Sequence, residues 1–403
     1  MSKYDGAGEK LAVVTDLGLE LVDLPEYRSD DVVAVFDLDF IVYSSACMAD
    51  HVTVLAHHKS GKTKVFSGRK EFHDMLAHHN GMYPSKALNK EDFVLEDIVK
   101  PQPISHALRS IKARTEGIMS QLGANKAEFY IGGSDNFRDK LPLPVPYKGN
   151  RKERRRPTHL KECKRYAVNQ LGAHSIVGRE ADDVVTQRAI QIRKQGAKAI
   201  LVGEDKDAYG TYNIYTFNPK KDFEPFFIGE DPMEWSEGYL GEVYLSGNGS
   251  KMNYKGHGLR WKAFQICTGD NADGYHFLDI AKKNLMETEG LTPRQASLRI
   301  KLDLIGISDQ LNNAQSEKEL WGVVLSHAKE YYGTQPIEYT DHRGDKVVTD
   351  YLGILNIYYH CVHMRLSTMD DNTIYTILRK FGLYEGEFSK DTEVCYVDFS
   401  YFD

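Results

Sequence analysis

Cysteine is scarce in this chain: five among 403 residues (Cys47, Cys163, Cys267, Cys361, Cys395), an odd number, widely spaced, with no Cys-x-x-Cys pair. That excludes a disulfide framework and a thiolate zinc site, and it reads as a protein of a reducing compartment. No apolar stretch approaches the roughly 20 residues of a membrane-spanning helix. The opening MSKYDGAGEK has no apolar leader core, so neither a membrane nor export is expected. A Walker A loop is absent, and with it any sign of ATP use. No Ser-His-Asp or Cys-His arrangement stands out, nor does an internal repeat. Positive charge is also in deficit, with 51 Lys and Arg against 58 Asp and Glu for a net of −7. A surface coated in positive charge for nucleic acid is thereby excluded.

One local excess runs against that deficit. Between Lys148 and Arg165 nine basic residues meet two acidic ones, a local +7 that leaves −14 on the rest. With 41% apolar and 27% charged residues the chain is globular, and its length suits two or three domains. From Asp31 the run VVAVF is continuously apolar and rich in β-branched residues, as a strand buried on both faces should be, and it ends at Asp37. AEFYIGG (127–133), HSIVG (174–178) and AKAILVG (197–203) read as further strands. ISHALRSIKARTEGIMSQL and DDVVTQRAIQIRKQG lie between them with helical period. The alternation predicts an α/β fold, a mostly parallel central sheet flanked by helices.

Residues 1–30 read as an N-terminal extension, either a tail or a short strand on the body. The sheet domain spans 31–258, with two insertions. Residues 51–80 read as a hairpin around Lys59-Ser60-Gly61-Lys62 and then a short helix; residues 216–258 read as loops and hairpins. Beyond Leu259, segments such as SEKELWGVVLSHAKEYY and DYLGILNIYYHCVHMRL predict a largely helical C-terminal domain over 259–403.

The acidic residues fall at the C-terminal ends of the strands, where open parallel sheets gather ligands. Asp37 and Asp39 follow the first strand and Asp135 the second. Glu180, Asp182 and Asp183 follow the third, and Glu204, Asp205 and Asp207 the fourth; Asp270 and Asp273 come after the apolar stretch WKAFQICTG. A single acid at a helix start is an ordinary cap. Five clusters at one edge would repel each other unless cations lay among them, and hard divalent ions with oxygen ligands are the natural occupants. The basic island between two of these clusters suits a phosphate backbone drawn toward a negative cage. Pro157 interrupts the island, so a kinked or two-part helix is expected in place of one straight rod.

In order and spacing, FDLD (36–39), GSDNFR (133–138), YKGNR (147–151), EADD (180–183), EDKD (204–207) and GDNAD (269–273) resemble the flap endonuclease/5′→3′ exonuclease superfamily, with its bacteriophage branch the most similar. The resemblance implies a PIN-like sheet and a divalent-metal phosphodiesterase acting on DNA with a free 5′ end or a 5′ flap, or on RNA primers in RNA–DNA hybrids. It implies two Mg²⁺ ions, for which Mn²⁺ can substitute, and a cytoplasmic location, in the host if the chain is viral. The metal-cage positions match Asp37, Asp135, Glu180, Asp182, Asp205, Asp207, Asp270 and Asp273, and Asp183 matches the acid beside the cage. Lys148 and Arg151 match the basic pair of the family's helical arch (about residues 147–167 here), and Tyr147 matches an aromatic position that stacks on substrate. Lys148, Arg151, Asp182 and Asp183 are thus the expected catalytic groups. Tyr147, Lys148, Arg151, Lys152, Arg154, Arg155, Arg156 and Lys161 are the expected nucleic-acid contacts.

Two departures accompany the match. Glu204 stands where the family commonly has Ser or Thr, and GDNAD continues into YHFLDIAKKNLMETEG without the family's Gly-Ile-Gly-x-Lys turn that grips duplex DNA. Asp39 has no counterpart. The histidines at 51, 57, 58, 73, 78 and 79 lack tight ligand spacing, and His360-Cys361-x-His363 reads as core. Two other readings stay open: a PIN-type or RNase H-like ribonuclease, and a non-catalytic nucleic-acid-binding protein.

Overall fold

The computed structural model describes residues 10–15, 18–151, 155–247, 253–270, 273–365 and 372–386; Lys152, Arg154 and Cys395 lie outside them. The chain begins with β1 (Lys10–Thr15), β2 (Gly18–Asp23), β3 (Val32–Asp37) and α1 (Asp39–Met48). There follow β4 (Asp50–His58), β5 (Thr63–Phe66), α2 (Arg69–Met82), β6 (Phe93–Pro101) and α3 (Ile104–Leu122). Next come β7 (Lys126–Gly132), α4 (Leu160–Leu171), β8 (His174–Ile176), α5 (Ala181–Lys194), β9 (Lys198–Val202), β10 (Ile214–Phe217) and β11 (Phe226–Ile228). The last part holds β12 (Glu242–Ser246), β13 (Asn253–His257), α6 (Gly258–Thr268), α7 (Leu278–Glu289), α8 (Pro293–Asn313) and α9 (Glu317–Tyr332). It closes with β14 (Ile337–Thr340), β15 (Lys346–Thr349), α10 (Tyr351–Val362) and α11 (Ile374–Lys380).

Two compact units emerge. One takes the chain up to Leu38, from Ile118 to Arg154 and from Ala173 onward; the other takes Asp39–Gly117 and Arg155–Gly172. The first is built on an eight-stranded sheet in the order β11-β10-β9-β3-β7-β8-β1-β2. Strands β10, β9, β3, β7 and β8 run parallel, while β11, β1 and β2 pair antiparallel at the margins. The protein is therefore α/β with a mixed, mostly parallel sheet. Strands β1 and β2 extend that sheet as an antiparallel pair, with Val13 opposite Ile176.

Central β3 is buried from Val33 to Asp37 because its apolar residues have covered faces on both sides. After β3 the chain adds β7 and β8 on one side and then returns to place β9 on the other. The strand order thus reverses at β3, and the parallel C-terminal ends open into one crevice there. Beneath, Val184, Val185, Ala189 and Ile192 of α5 pack with Val33, Val35 and Leu201. The helices after Gly258 share this compact unit, around a core that includes Trp261, Phe277, Trp321, Tyr358 and Tyr359. His360 is buried with them, as its aromatic helix predicts. The hairpin β14–β15 lies within the segment expected to be largely helical.

The second unit holds the antiparallel sheet β5-β4-β6. Phe72 and Leu76 of α2 cover Val54, Ala56 and Phe66. The expected hairpin closes through His58 N donating to Lys62 O at 2.8 Å, with Gly61 at φ 84° supplying the left-handed turn. Strand β6, absent from the sequence reading, pairs with the whole of β4. Beyond Pro157 the basic segment becomes α4, so the two-part expectation takes the form of a short 3-10 turn at Gly149–Arg151 and a separate helix.

Candidate active site

All the expected cage acids belong to the first unit, at the crevice end of its sheet. Asp37 is the last residue of β3 and is buried. Asp205 and Asp207 follow β9, and the Asp207 amide donates to Asp205 Oδ1 at 2.9 Å. Glu180 and Asp182 open α5 after β8. Asp270 and Asp273 sit in a closed turn beyond α6, where Asp270 N donates to Tyr275 O at 2.9 Å. Gly269, at φ 67°, makes this turn possible: a Cβ there would stand 2.4 Å from Tyr275 O. The same turn anchors the 147–151 segment, since Lys148 N donates to Asp273 O at 2.7 Å.

These carboxyl groups lie close enough to shift one another's ionisation. Burial raises the pKa of Asp182 well above the carboxylate range, and the charges of Asp37, Asp205 and Glu180 push it further. Burial also raises Asp207, helped by Asp205 and Asp273, although Gln265 Nε2 donates to its Oδ1 at 2.5 Å. Asp273 is raised by burial, by Asp205 and by Asp270, with Lys148 and Arg151 pulling the other way. Burial disfavours the charge of Lys148, but Glu180, Asp273, Asp182 and Asp205 outweigh it and hold its pKa above the ordinary lysine value.

Three cations lie among the acids. Lys148 Nζ is 2.5 Å from Glu180 Oε1, Arg151 Nη2 is 2.7 Å from Asp273 Oδ1, and Lys206 Nζ pairs with Asp270 Oδ2. Seven carboxylates (Asp37, Glu180, Asp182, Asp205, Asp207, Asp270, Asp273) thus outnumber these three cations and the Arg138 guanidinium that also reaches Glu180. Tyr275 Oη is buried and has no hydrogen-bond partner among the described residues. Burial raises its pKa, and the charges of Asp207, Asp270 and Asp273 add to the shift. Oxygen-only donors, unbalanced negative charge and an orphaned hydroxyl are a set that fits Mg²⁺ or Mn²⁺ and their bound waters. Among the described residues no three of these side chains already stand as a closed ligand set.

Other expected residues take different places. Asp135, at φ 61°, is half exposed and pairs with Lys140 Nζ at 3.0 Å; it takes part in none of the interactions above. Asp183 is fully buried and faces Arg138; its Oδ2 also accepts from the Glu180 amide at 3.1 Å, a cap on α5. Burial works against the Asp183 charge, but Arg138 outweighs it and holds the carboxyl below its usual range. Tyr147 was expected to stack on a base. Its ring is instead buried at 3% exposure beside Tyr275, and its hydroxyl donates to Glu180 Oε2 at 3.3 Å, so no face is open to a base. Arg155 was expected on the strand path, but it pairs with buried Asp50 in the second unit, which takes up its charge. Arg156 and Lys161, also in that unit, are exposed. Asp39 pairs with Lys164 at 3.0 Å, and Glu204 with Lys220 at 2.8 Å.

Arg138, Lys206, Gln265 and Tyr275 went unmarked in the sequence. Arg138 and Lys206 lie inside quoted motifs, GSDNFR and EDKD, yet nothing in those strings reveals partners more than 40 residues away. No family model matches the chain, and no curated protein sequence is similar to it.

Proposed function

We propose that the protein is a divalent-metal-dependent phosphodiesterase of the flap endonuclease/5′→3′ exonuclease type, with a PIN-like sheet, acting on DNA with a free 5′ end or a 5′ flap. The observation that carries this reading is the seven-carboxylate cluster at the reversal point of the sheet, with Lys148 and Arg151 pinned to its rim. Asp37, Glu180, Asp182, Asp205, Asp207, Asp270 and Asp273 would hold two Mg²⁺ ions. When bound, the ions supply an activated water and charge stabilisation at the phosphate. Lys148 and Arg151 then turn from carboxylate to phosphate oxygens and offset the charge that builds as water adds and the bond to the 3′-oxygen breaks. Glu180 and Asp273 keep those two cations at the site before substrate arrives.

The decisive assay uses Mg²⁺ with 5′-labelled and 3′-labelled duplex, flapped and RNA–DNA hybrid substrates. Asp182→Asn is expected to abolish cleavage while DNA binding persists. Normal cleavage by that variant rejects the assignment, and preferential loss of the RNA strand points to the ribonuclease reading.

A further inference from the structure

The pair between Lys206 and Asp270 has a role that metal binding alone does not explain. Lys206 lies between two cage acids in sequence, with its side chain half exposed, while its partner Asp270 is buried at 8%. Its backbone is fixed, since the indole Nε1 of Trp261 donates to Lys206 O at 3.1 Å. A long side chain on a fixed base can enter or leave the cluster without moving the strand end. Tyr275 Oη, buried on the same turn with no hydrogen-bond partner among the described residues, is a polar group left over beside Asp270 and Asp273.

We propose that Lys206 is a built-in counter-cation, competing with a divalent ion for Asp270 and displaced to the surface when that ion binds. This rests on the metal-site reading of the cluster. In the metal-free protein Lys206 limits repulsion among Asp270, Asp273 and Asp207. Once displaced, its ammonium is free to meet the phosphate of an incoming strand, so ion binding and strand binding reinforce each other.

Calorimetric titration of the full chain with Ca²⁺, which binds oxygen cages without supporting turnover by most Mg²⁺ nucleases, separates the outcomes. Removing a half-exposed competing charge, worth roughly 1 kcal/mol, should tighten Ca²⁺ binding about fivefold in Lys206→Met. Lys206→Arg should stay near wild type. In EDTA the Met variant should melt lower than wild type, and excess Ca²⁺ should close the gap. Unchanged or weaker Ca²⁺ binding in Lys206→Met overturns the proposal and makes Lys206 a positioning residue for Asp270. If wild type itself binds neither Ca²⁺ nor Mn²⁺, the metal-site reading falls first, and the counter-cation role falls with it.

Discussion

Arg138 and Asp183 meet through two parallel hydrogen bonds, Nη1 to Oδ2 at 2.7 Å and Nη2 to Oδ1 at 2.9 Å, with both side chains buried. The same guanidinium reaches Glu180 Oε2 at 3.1 Å and the carbonyls of Cys361 and His363 at 3.2 and 2.9 Å. One side chain thus ties the start of α5 to the end of α10. Arg138→Leu leaves the Asp183 carboxylate buried without its counter-charge, so urea denaturation at pH 7 should show a loss of about 3–5 kcal/mol. A loss below ~1 kcal/mol would show that the pair is dispensable. Because Arg138 depresses the Asp183 pKa, this stabilisation is fully present above the unfolded carboxylate value of about 3.9 and fades only as pH falls through the lower folded value.

Asp207 has the opposite sign. Burial, Asp205 and Asp273 raise its pKa, so its ionised form costs stability at neutral pH, and that cost disappears as pH drops through the folded value. In EDTA, Asp207→Asn should therefore stabilise the protein at pH 7.5, with the gain shrinking toward pH 4. Comparing variant with wild type cancels the buried His327, whose pKa is lowered to about 4. A gain that is constant with pH would separate Asp207 from the charge cluster.

Tyr147 distinguishes burial from stacking. Tyr147→Leu removes a buried ring and should lower stability by roughly 2–4 kcal/mol. Affinity for a 5′-overhanging DNA, read by fluorescence anisotropy under folded conditions, should change less than about threefold. A drop of tenfold or more would fit loss of a base-stacking surface, worth about 1–3 kcal/mol.

Lys148 sits on the rim with its side chain only 17% exposed, paired to Glu180. Lys148→Ala should slow Mg²⁺-dependent cleavage and reduce the slope of log affinity against log salt by about 1. An unchanged slope with unchanged rate would place Lys148 off the strand path.

Two strands covered on both faces were legible: VVAVF and the AILV of AKAILVG are continuously apolar, and β3 and β9 appear where expected, whereas β10, a short and mostly buried strand, went unread. Strand β6 was not legible, because one face stays open and Glu96, Asp97 and Lys100 interrupt its apolar residues. Carboxylates after strands were readable because parallel strands share an end. Which of them carry a partner was not, since Lys140 beside Asp135 and Arg138 on Asp183 are settled by tertiary geometry. An aromatic next to a lysine looks the same in sequence whether it is buried, as Tyr147 is, or exposed.

The interleaving of the two units has a consequence for how the chain is made. The second unit is complete at Gly172, while the sheet unit still lacks β8, β9 and the turn bearing Asp270 and Asp273. During synthesis Asp39–Gly117 can recruit Arg155–Gly172 only by looping out β7 and the Tyr147–Arg151 segment between them, which pays a closure entropy before either sheet edge is satisfied. A nascent chain released at residue 172 should already protect the β4–β6 amides from exchange, whereas the β3 groups that pair with β9 must wait for Lys198–Val202 to be made.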